Sequence, residues 1–339
     1  MLLIWLITSR CTMNCLHCYA KIHCTVGELN TTKAIKVIEE AADYGVRRIV
    51  FTGGEPLVRQ DIWKLVRTAR EHSMEVAIIT SGWLLSSEVL ELASRYDVEF
   101  YLSLESMLEE VHDMIRGTGS WRRTMKAIRE LEREGIEYSL ITTLSKLNKN
   151  SAWKVPLELA PSVEWCDGFS FIPVLPSGNA LKRRELLLDS KELIDIAMKL
   201  DEVSRMVDVR AYLWCMSFIK RYVRRLYVGS CRRSNVIDLD PAGNVLLCDT
   251  LSLRLANVVE MGFAKAIKKA EESPVQRILE ETVQLEPCRG CSLRQFCLGG
   301  CYVRAFQEFG DIGMPDPLCP LVRRSLIHGA YRKSRSRHT

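Results

Sequence analysis

Along the first half of the chain, short apolar runs alternate with segments whose apolar residues recur every three or four positions. The runs Leu2–Thr8, Arg48–Thr52, Val76–Thr80, Val98–Ser103, Ile136–Thr143 and Gly168–Pro173 predict strands. Between the first two, Asn30–Tyr44 carries Ala34, Ile35, Ile38, Ala41 and Ala42 at helical spacing, with Asn30 or Thr31 as cap and Gly45 as stop. Asp61–Glu71, Ser87–Ser94, Ser120–Glu134 and a short stretch near Trp153–Leu159 predict further helices; Trp121, Met125, Ile128 and Leu131 form the stripe of the longest, and Gly135 ends it. Six strands alternating with helices predict an α/β fold, a parallel sheet open or partly closed as a TIM-like (β/α)6 barrel. Ligands of such sheets sit at the carboxyl ends of the strands.

Pro173–Arg184, with its prolines, glycine and basic cluster, reads as a boundary. Asp189 and Glu192 have the spacing of a capping box, opening a helix with Leu193, Ile196, Ala197, Leu200 and Val203 on its apolar face. From Gly229 the pattern shifts to short strands, turns and cysteines, and Pro241-Ala242-Gly243 between Val236–Asp240 and Asn244–Leu247 reads as a hairpin. The expected organisation is a core at 1–180, a helical connector at 181–228, a small cysteine-rich α+β domain at 229–325 and a basic tail at 326–339.

The 339 residues, 47% apolar and 26% charged, are ample for one large domain and a smaller one. No apolar run has membrane-spanning length and no secretory signal precedes the first strand, so a cytoplasmic protein is expected. The formal charge of +5 owes much to Arg332-Lys333-Ser334-Arg335-Ser336-Arg337, which reads as a solvated end and not as a nucleic-acid site. Thirteen cysteines in such a protein read as ligands before disulfides.

They are unevenly placed. Cys11, Cys15 and Cys18, spaced C-x3-C-x2-C, follow the first strand directly, a spacing that lets three thiolates meet one inorganic centre. A four-iron cluster held by three cysteines keeps one iron unligated by protein. The triplet alone also fits a zinc site completed by His17 or His23, or buried thiols without a ligand. After the second strand comes Thr52-Gly53-Gly54-Glu55-Pro56, where paired glycines allow close backbone approach and Glu55 offers a fixed acceptor for an amino group.

This pairing of loops resembles the radical SAM superfamily over roughly the first half of the chain. The resemblance implies a [4Fe–4S] cluster on Cys11, Cys15 and Cys18 whose open iron chelates S-adenosylmethionine, and reductive cleavage to a 5′-deoxyadenosyl radical. It implies Gly53, Gly54 and Glu55 at the methionine amine, with Ser81, Ser103 and Arg116 lining the cofactor and the Phe171-Ile172-Pro173 stretch over the adenine. Where similar proteins read Ser-Leu-Asp-Gly, Glu105-Ser106 stands here, which leaves Glu105 without an assigned role.

The later cysteines are similar to the seven-cysteine pattern of the SPASM domain: Cys231, eleven residues, Gly243, four residues, Cys248, then Cys288-x2-Cys291-x5-Cys297-x3-Cys301 and Cys319. Two auxiliary [4Fe–4S] clusters are implied, one on Cys231, Cys248 and Cys301, the other on Cys288, Cys291, Cys297 and Cys319. The former is one thiolate short: an open iron, an oxygen ligand or Cys215 would complete it. A zinc ribbon on Cys288, Cys291, Cys297 and Cys301 would strand the other three. Cys166 is expected to be a small core residue and Cys24 a buried neighbour of the first loop.

Auxiliary clusters suit a reaction that must export an electron, so the expected activity is oxidative modification of a peptide or protein side chain, with a ferredoxin or flavodoxin as low-potential donor. A tetrapyrrole of the haem pathway is the alternative substrate, favoured by Gly310-Asp311 and Asp316-Pro317-Leu318-Cys319-Pro320, which look similar to that branch. No leader-binding domain is expected before a strand beginning at Leu2, so a separate protein would supply one. A non-catalytic iron–sulfur electron carrier is the reading from another class; it would need neither Gly53-Gly54-Glu55 nor a cofactor-lined barrel.

Overall fold

A computed structural model describes residues 1–231 and 235–327. The basic run at 332–337 therefore lies outside the described residues. Strands β1 (Leu2–Thr8), β2 (Arg48–Gly53), β3 (Glu75–Thr80), β4 (Val98–Ser103), β5 (Tyr138–Leu144) and β6 (Cys166–Pro173) lie side by side in chain order, all parallel. Helices α1 (Thr31–Tyr44), α2 (Ile62–Glu71), α3 (Ser87–Arg95), α4 (Glu109–Arg116), α5 (Ser120–Glu134) and α6 (Lys154–Leu159) make the crossovers. Asn30 caps α1 through Lys33 N, and Gly45 ends it at φ +106°, a conformation glycine adopts without strain.

Alternation along the strands decides what each face does. Leu3, Trp5 and Ile7 of β1, Ile49 and Phe51 of β2, and Phe100 and Leu102 of β4 pack with the helices in one large core. The opposite, concave face carries polar groups. Near the amino ends of the strands, Arg48 donates to Glu75, Glu99 and the Tyr101 hydroxyl, and Ser139 donates to Glu99. Phe171 belongs to the helix-packed core, so of the stretch expected over an adenine Ile172 is the residue on the concave side.

The sheet does not end at six strands. After α7 (Ser190–Met206), which opens on the Asp189–Glu192 capping box, β7 (Ala211–Leu213) and β8 (Tyr227–Val228) continue it beyond β6. The segment expected to be a helical connector is thus partly sheet. On the other side β9 (Val236–Leu239) pairs parallel with β1, and β10 (Asn244–Cys248) and β11 (Leu251–Asn257) follow antiparallel, giving the order β11-β10-β9-β1-β2-β3-β4-β5-β6-β7-β8. The predicted hairpin is β9–β10, and it extends the sheet that carries the core.

The remaining helices are α8 (Val258–Met261), α9 (Phe263–Glu271), α10 (Pro274–Glu281), α11 (Arg294–Cys297), α12 (Tyr302–Phe309) and α13 (Pro320–Ile327). Helix α9 docks on α1, where Phe263 packs against Tyr44 and its backbone N–H donates to Glu40. No helix among the described residues is long and apolar enough to cross a membrane.

Candidate active site and cysteine centres

The loop after β1 carries Cys11, Cys15 and Cys18 to the carboxyl end of the sheet, and three other loops hold it there. The exit from β2 runs against its backbone: Gly54 N donates to Thr8 O at 2.7 Å and Glu55 N to Arg10 O at 2.8 Å. A Cβ on Gly54 would collide with Arg10 O, and one on Gly53, at φ +124°, with Thr8 O. The paired glycines therefore let one loop lie on the other, a requirement internal to the chain.

From the far side, Leu16 N donates to Ile115 O at the end of α4, and Asn179 donates to Cys15 O and Cys18 O. Burial pushes the Cys11 thiol above its ordinary range, and the nearby Glu55, Cys15 and Cys18 add to the shift; Cys18 behaves alike beside Cys15. The three sulfurs thus share one small volume next to Glu55. None of the thirteen cysteines is in a disulfide.

Glu55, 1% exposed, is fully engaged. Oε1 accepts from Thr80 Oγ1 (2.8 Å) and Leu57 N (3.3 Å), and Oε2 from Ser81 N (3.0 Å) and Ser81 Oγ (2.8 Å). Four donors match what a carboxylate can accept. Glu55 thus ties the loops after β2 and β3 together, and Ser81 is one of its partners. Ser103 is buried at the end of β4.

Arg116, the last residue of α4, donates to Glu105 Oε1 at 2.8 Å, while Thr143 N reaches Oε2 at 2.7 Å and His17 Nε2 lies 3.7 Å from Oε1. Cys15 and Cys18 hold the guanidinium in its charged form together with Glu105. Desolvation lowers the His17 pKa, so a neutral imidazole sits between the cysteine loop and this ion pair. His17 Nδ1 is buried with no partner among the described residues. Glu105, unassigned from the sequence, is the buried anion on which Arg116 and His17 converge. Nothing in the spacing of residues 17, 105 and 116 signals that grouping.

The C-terminal cysteines fall into two groups. Cys288, Cys291, Cys297 and Cys319 line one cavity with Phe218 and Arg221, whose guanidinium donates to Cys291 Sγ at 3.5 Å. Burial pushes the Cys297 thiol up to about 12, with Asp316, Cys319, Cys288 and Cys291 adding to it. Cys301 is not in that cavity. It packs with Cys248 and Cys215 against a small apolar cluster that includes Leu251, Tyr302 and Val303, and Cys215 hydrogen-bonds Cys231. A zinc ribbon on residues 288, 291, 297 and 301 would draw from both groups. Among the described residues no three histidines, cysteines or carboxylates are gathered tightly enough for a single metal ion.

One expectation changes. Cys24 is exposed, because the short helical turn Tyr19–His23 buries Ala20 and His23 and leaves the following cysteine outside. Asp316, in the Asp316-Pro317-Leu318-Cys319-Pro320 stretch, pairs with Arg304 and accepts from Cys301 N. The first cysteine loop also touches the C-terminal region, through His23 Nε2 to Asp249 O at 2.9 Å and through Tyr19, whose hydroxyl meets Asp249.

A partial barrel of parallel strands with three thiols at its carboxyl mouth defines a class, and residues 5–155 match the family model described as the radical SAM superfamily. The chain belongs to that superfamily and is an enzyme. A PqqA peptide cyclase from Granulibacter bethesdensis is 30% identical over 327 residues, covering 93% of this chain and 86% of that protein. An AdoMet-dependent heme synthase from Methanosarcina barkeri is 26% identical over 342 residues, 94% of this chain and 95% of that protein. Among solved structures, Streptococcus suis SuiB bound to its precursor peptide SuiA superposes with a TM-score of 0.75 at 17% identity, covering 94% of this chain and 76% of that one.

Proposed function

We propose that the chain is a radical SAM enzyme with a SPASM-type auxiliary region, residues 229–325, that oxidatively modifies a peptide or protein side chain. The observation that carries this reading is the division of the cysteines into three separate groups, one of them a triplet at the mouth of the barrel. Cys11, Cys15 and Cys18 would hold a [4Fe–4S] cluster; Cys288, Cys291, Cys297 and Cys319 a second; Cys231, Cys248 and Cys301 a third. The triplet's cluster supplies, when bound, the electron that cleaves S-adenosylmethionine to a 5′-deoxyadenosyl radical, and the auxiliary pair a route for the electron an oxidation releases.

The chain's own residues orient and seal this mouth. Gly53, Gly54 and Glu55 set the loop against which the methionine end would lie, and Glu55 fixes Ser81 beside it. Ser103 and Arg116 would line the rest, with Glu105 holding the guanidinium in place. Of the triplet, Cys15 is buried, and Cys11 and Cys18 are half-buried at the mouth. An orphaned buried nitrogen on His17 and three convergent thiols are what such a cluster's surroundings require.

The peptide reading is supported by the PqqA peptide cyclase and by the SuiB–SuiA complex; the heme synthase supports a tetrapyrrole as the second reading. A cytoplasmic setting with a ferredoxin or flavodoxin as donor fits a chain of thirteen cysteines without disulfides. Anaerobically reconstituted wild type should hold about twelve irons per chain and a Cys11/Cys15/Cys18→Ala variant about eight. Wild type alone should then release 5′-deoxyadenosine, with a peptide stimulating it more than a porphyrin. Zinc in place of iron, or equal iron in both proteins, would end this reading.

A further inference from the structure

We propose that Cys215 is the fourth thiolate of the centre formed by Cys231, Cys248 and Cys301, so that this auxiliary centre has no iron position left for substrate. The inference rests on the reading that the C-terminal cysteines hold iron–sulfur clusters, and it concerns a residue that lies outside their sequence pattern.

Sheet register brings Cys215 to the site. Strands β7 and β8 are parallel with Tyr212 opposite Tyr227 and Leu213 opposite Val228, and the ladder continues as Gly229 N donates to Leu213 O at 2.8 Å. Carried two residues further, that register sets Cys215 opposite Ser230, directly beside Cys231. The two thiols are hydrogen-bonded. Cys215 also packs with Cys248 and Cys301 against the same apolar cluster. Four sulfurs from four different segments therefore meet at one place.

The backbone at Cys215 is turned for this purpose. Its φ is +58°, in the left-handed region that residues with a side chain seldom occupy. The carbonyl that this turn presents is taken by Arg304 Nη2 at 2.5 Å, and Arg304 is held in turn by Asp316 through Nε at 2.9 Å. Asp316 accepts from the backbone N–H of Cys301 at 3.2 Å. One buried ion pair thus fixes both Cys215 and Cys301.

An independent sign that something binds here is Arg304 Nη1. Arg304 is 5% exposed, and this nitrogen has no acceptor among the described residues. A buried guanidinium N–H without a partner is costly, and besides Asp316 the charged groups that act on this guanidinium are the thiols of Cys301 and Cys215. The inorganic sulfide of a cluster is an acceptor of the right chemistry, and such hydrogen bonds are a normal part of cluster environments.

The test uses the full chain with Cys11, Cys15 and Cys18 replaced by alanine, so that only auxiliary iron is read. With Cys215 intact, about eight irons are expected, and 15N-imidazole should give no hyperfine coupling to iron in pulsed EPR of the reduced protein. Adding Cys215→Ala should either lower the iron by roughly half or open a site to which imidazole couples. Cys215→Ser, a smaller change, should retain iron and alter the Mössbauer parameters of one iron site, and Cys166→Ala should alter nothing. Imidazole coupling with Cys215 intact, or iron and spectra indifferent to Cys215→Ala and Cys215→Ser, overturns the proposal. Absence of auxiliary iron in the parent overturns the cluster reading itself, and with it this one.

Discussion

At the scale of single residues, several groups expected to face a cofactor are first of all occupied with one another. Glu55 is the clearest case: its two oxygens meet four donors from the loops after β2 and β3. Replacing it by Gln would set an NH2 group against donors that need an acceptor, at a cost of about 1–3 kcal/mol. Chemical denaturation of Glu55→Gln should show that loss together with poorer iron retention; unchanged stability would mean that the network is dispensable. His112 gives a pH signature. Its Nδ1 accepts from Glu105 N, so the ring is neutral, and desolvation holds its pKa at about 4 against an ordinary 6.5. Above pH 6.5 the ring is neutral folded or unfolded. Below it the unfolded chain takes up a proton that the native state refuses, so stability falls between pH 6.5 and 4 by about 3 kcal/mol. A His112→Asn variant keeps an acceptor at the Nδ1 position, and its denaturation midpoint should fall less over that range than wild type. Parallel curves would remove His112 as the cause.

At the scale of elements, legibility followed length and purity of pattern. Strands β1 to β6 were readable because each is a short stretch rich in apolar and β-branched residues set between helical segments, and α5 because its stripe is regular. Helix α4 was not, since the residues it buries are His112 and Ile115, and a histidine on the inner face erases the apolar repeat. Strands β7 and β8, three and two residues long, are too short to show a period. Their brevity left Cys215 only one candidate among three for the first auxiliary centre, because its neighbour Cys231 is set by strand register and not by motif spacing. The capping box of α7 was legible, being local: Asp189 Oδ1 accepts from Glu192 N, and Asp189 N donates to Glu192 Oε2. Asp189→Ala should cost about 1 kcal/mol in thermal unfolding while leaving iron content and deoxyadenosine release at wild-type levels. A loss of cofactor would show that α7 does more than support the sheet.

At the scale of the whole molecule, two of the three cysteine groups are tied to one sheet: β1 leads into the triplet, and β9 lies between that strand and β10, whose last residue is Cys248. The pairing of Leu2–Trp5 with Val236–Leu239 has a consequence for biosynthesis. A ribosome emits β1 long before β9, and throughout that interval the apolar strand leading to three thiols has one edge without its native neighbour. An edge of that kind recruits strands from other chains, and pairing across so long a stretch of sequence is slow. Residues 1–229 expressed alone should therefore aggregate even where the full chain is soluble, as sedimentation of matched lysates would reveal; a monomeric fragment would show that β2 alone suffices to protect β1. The nascent protein would then depend on chaperone cover until its last third emerges, and premature termination anywhere before β9 would yield an aggregation-prone product.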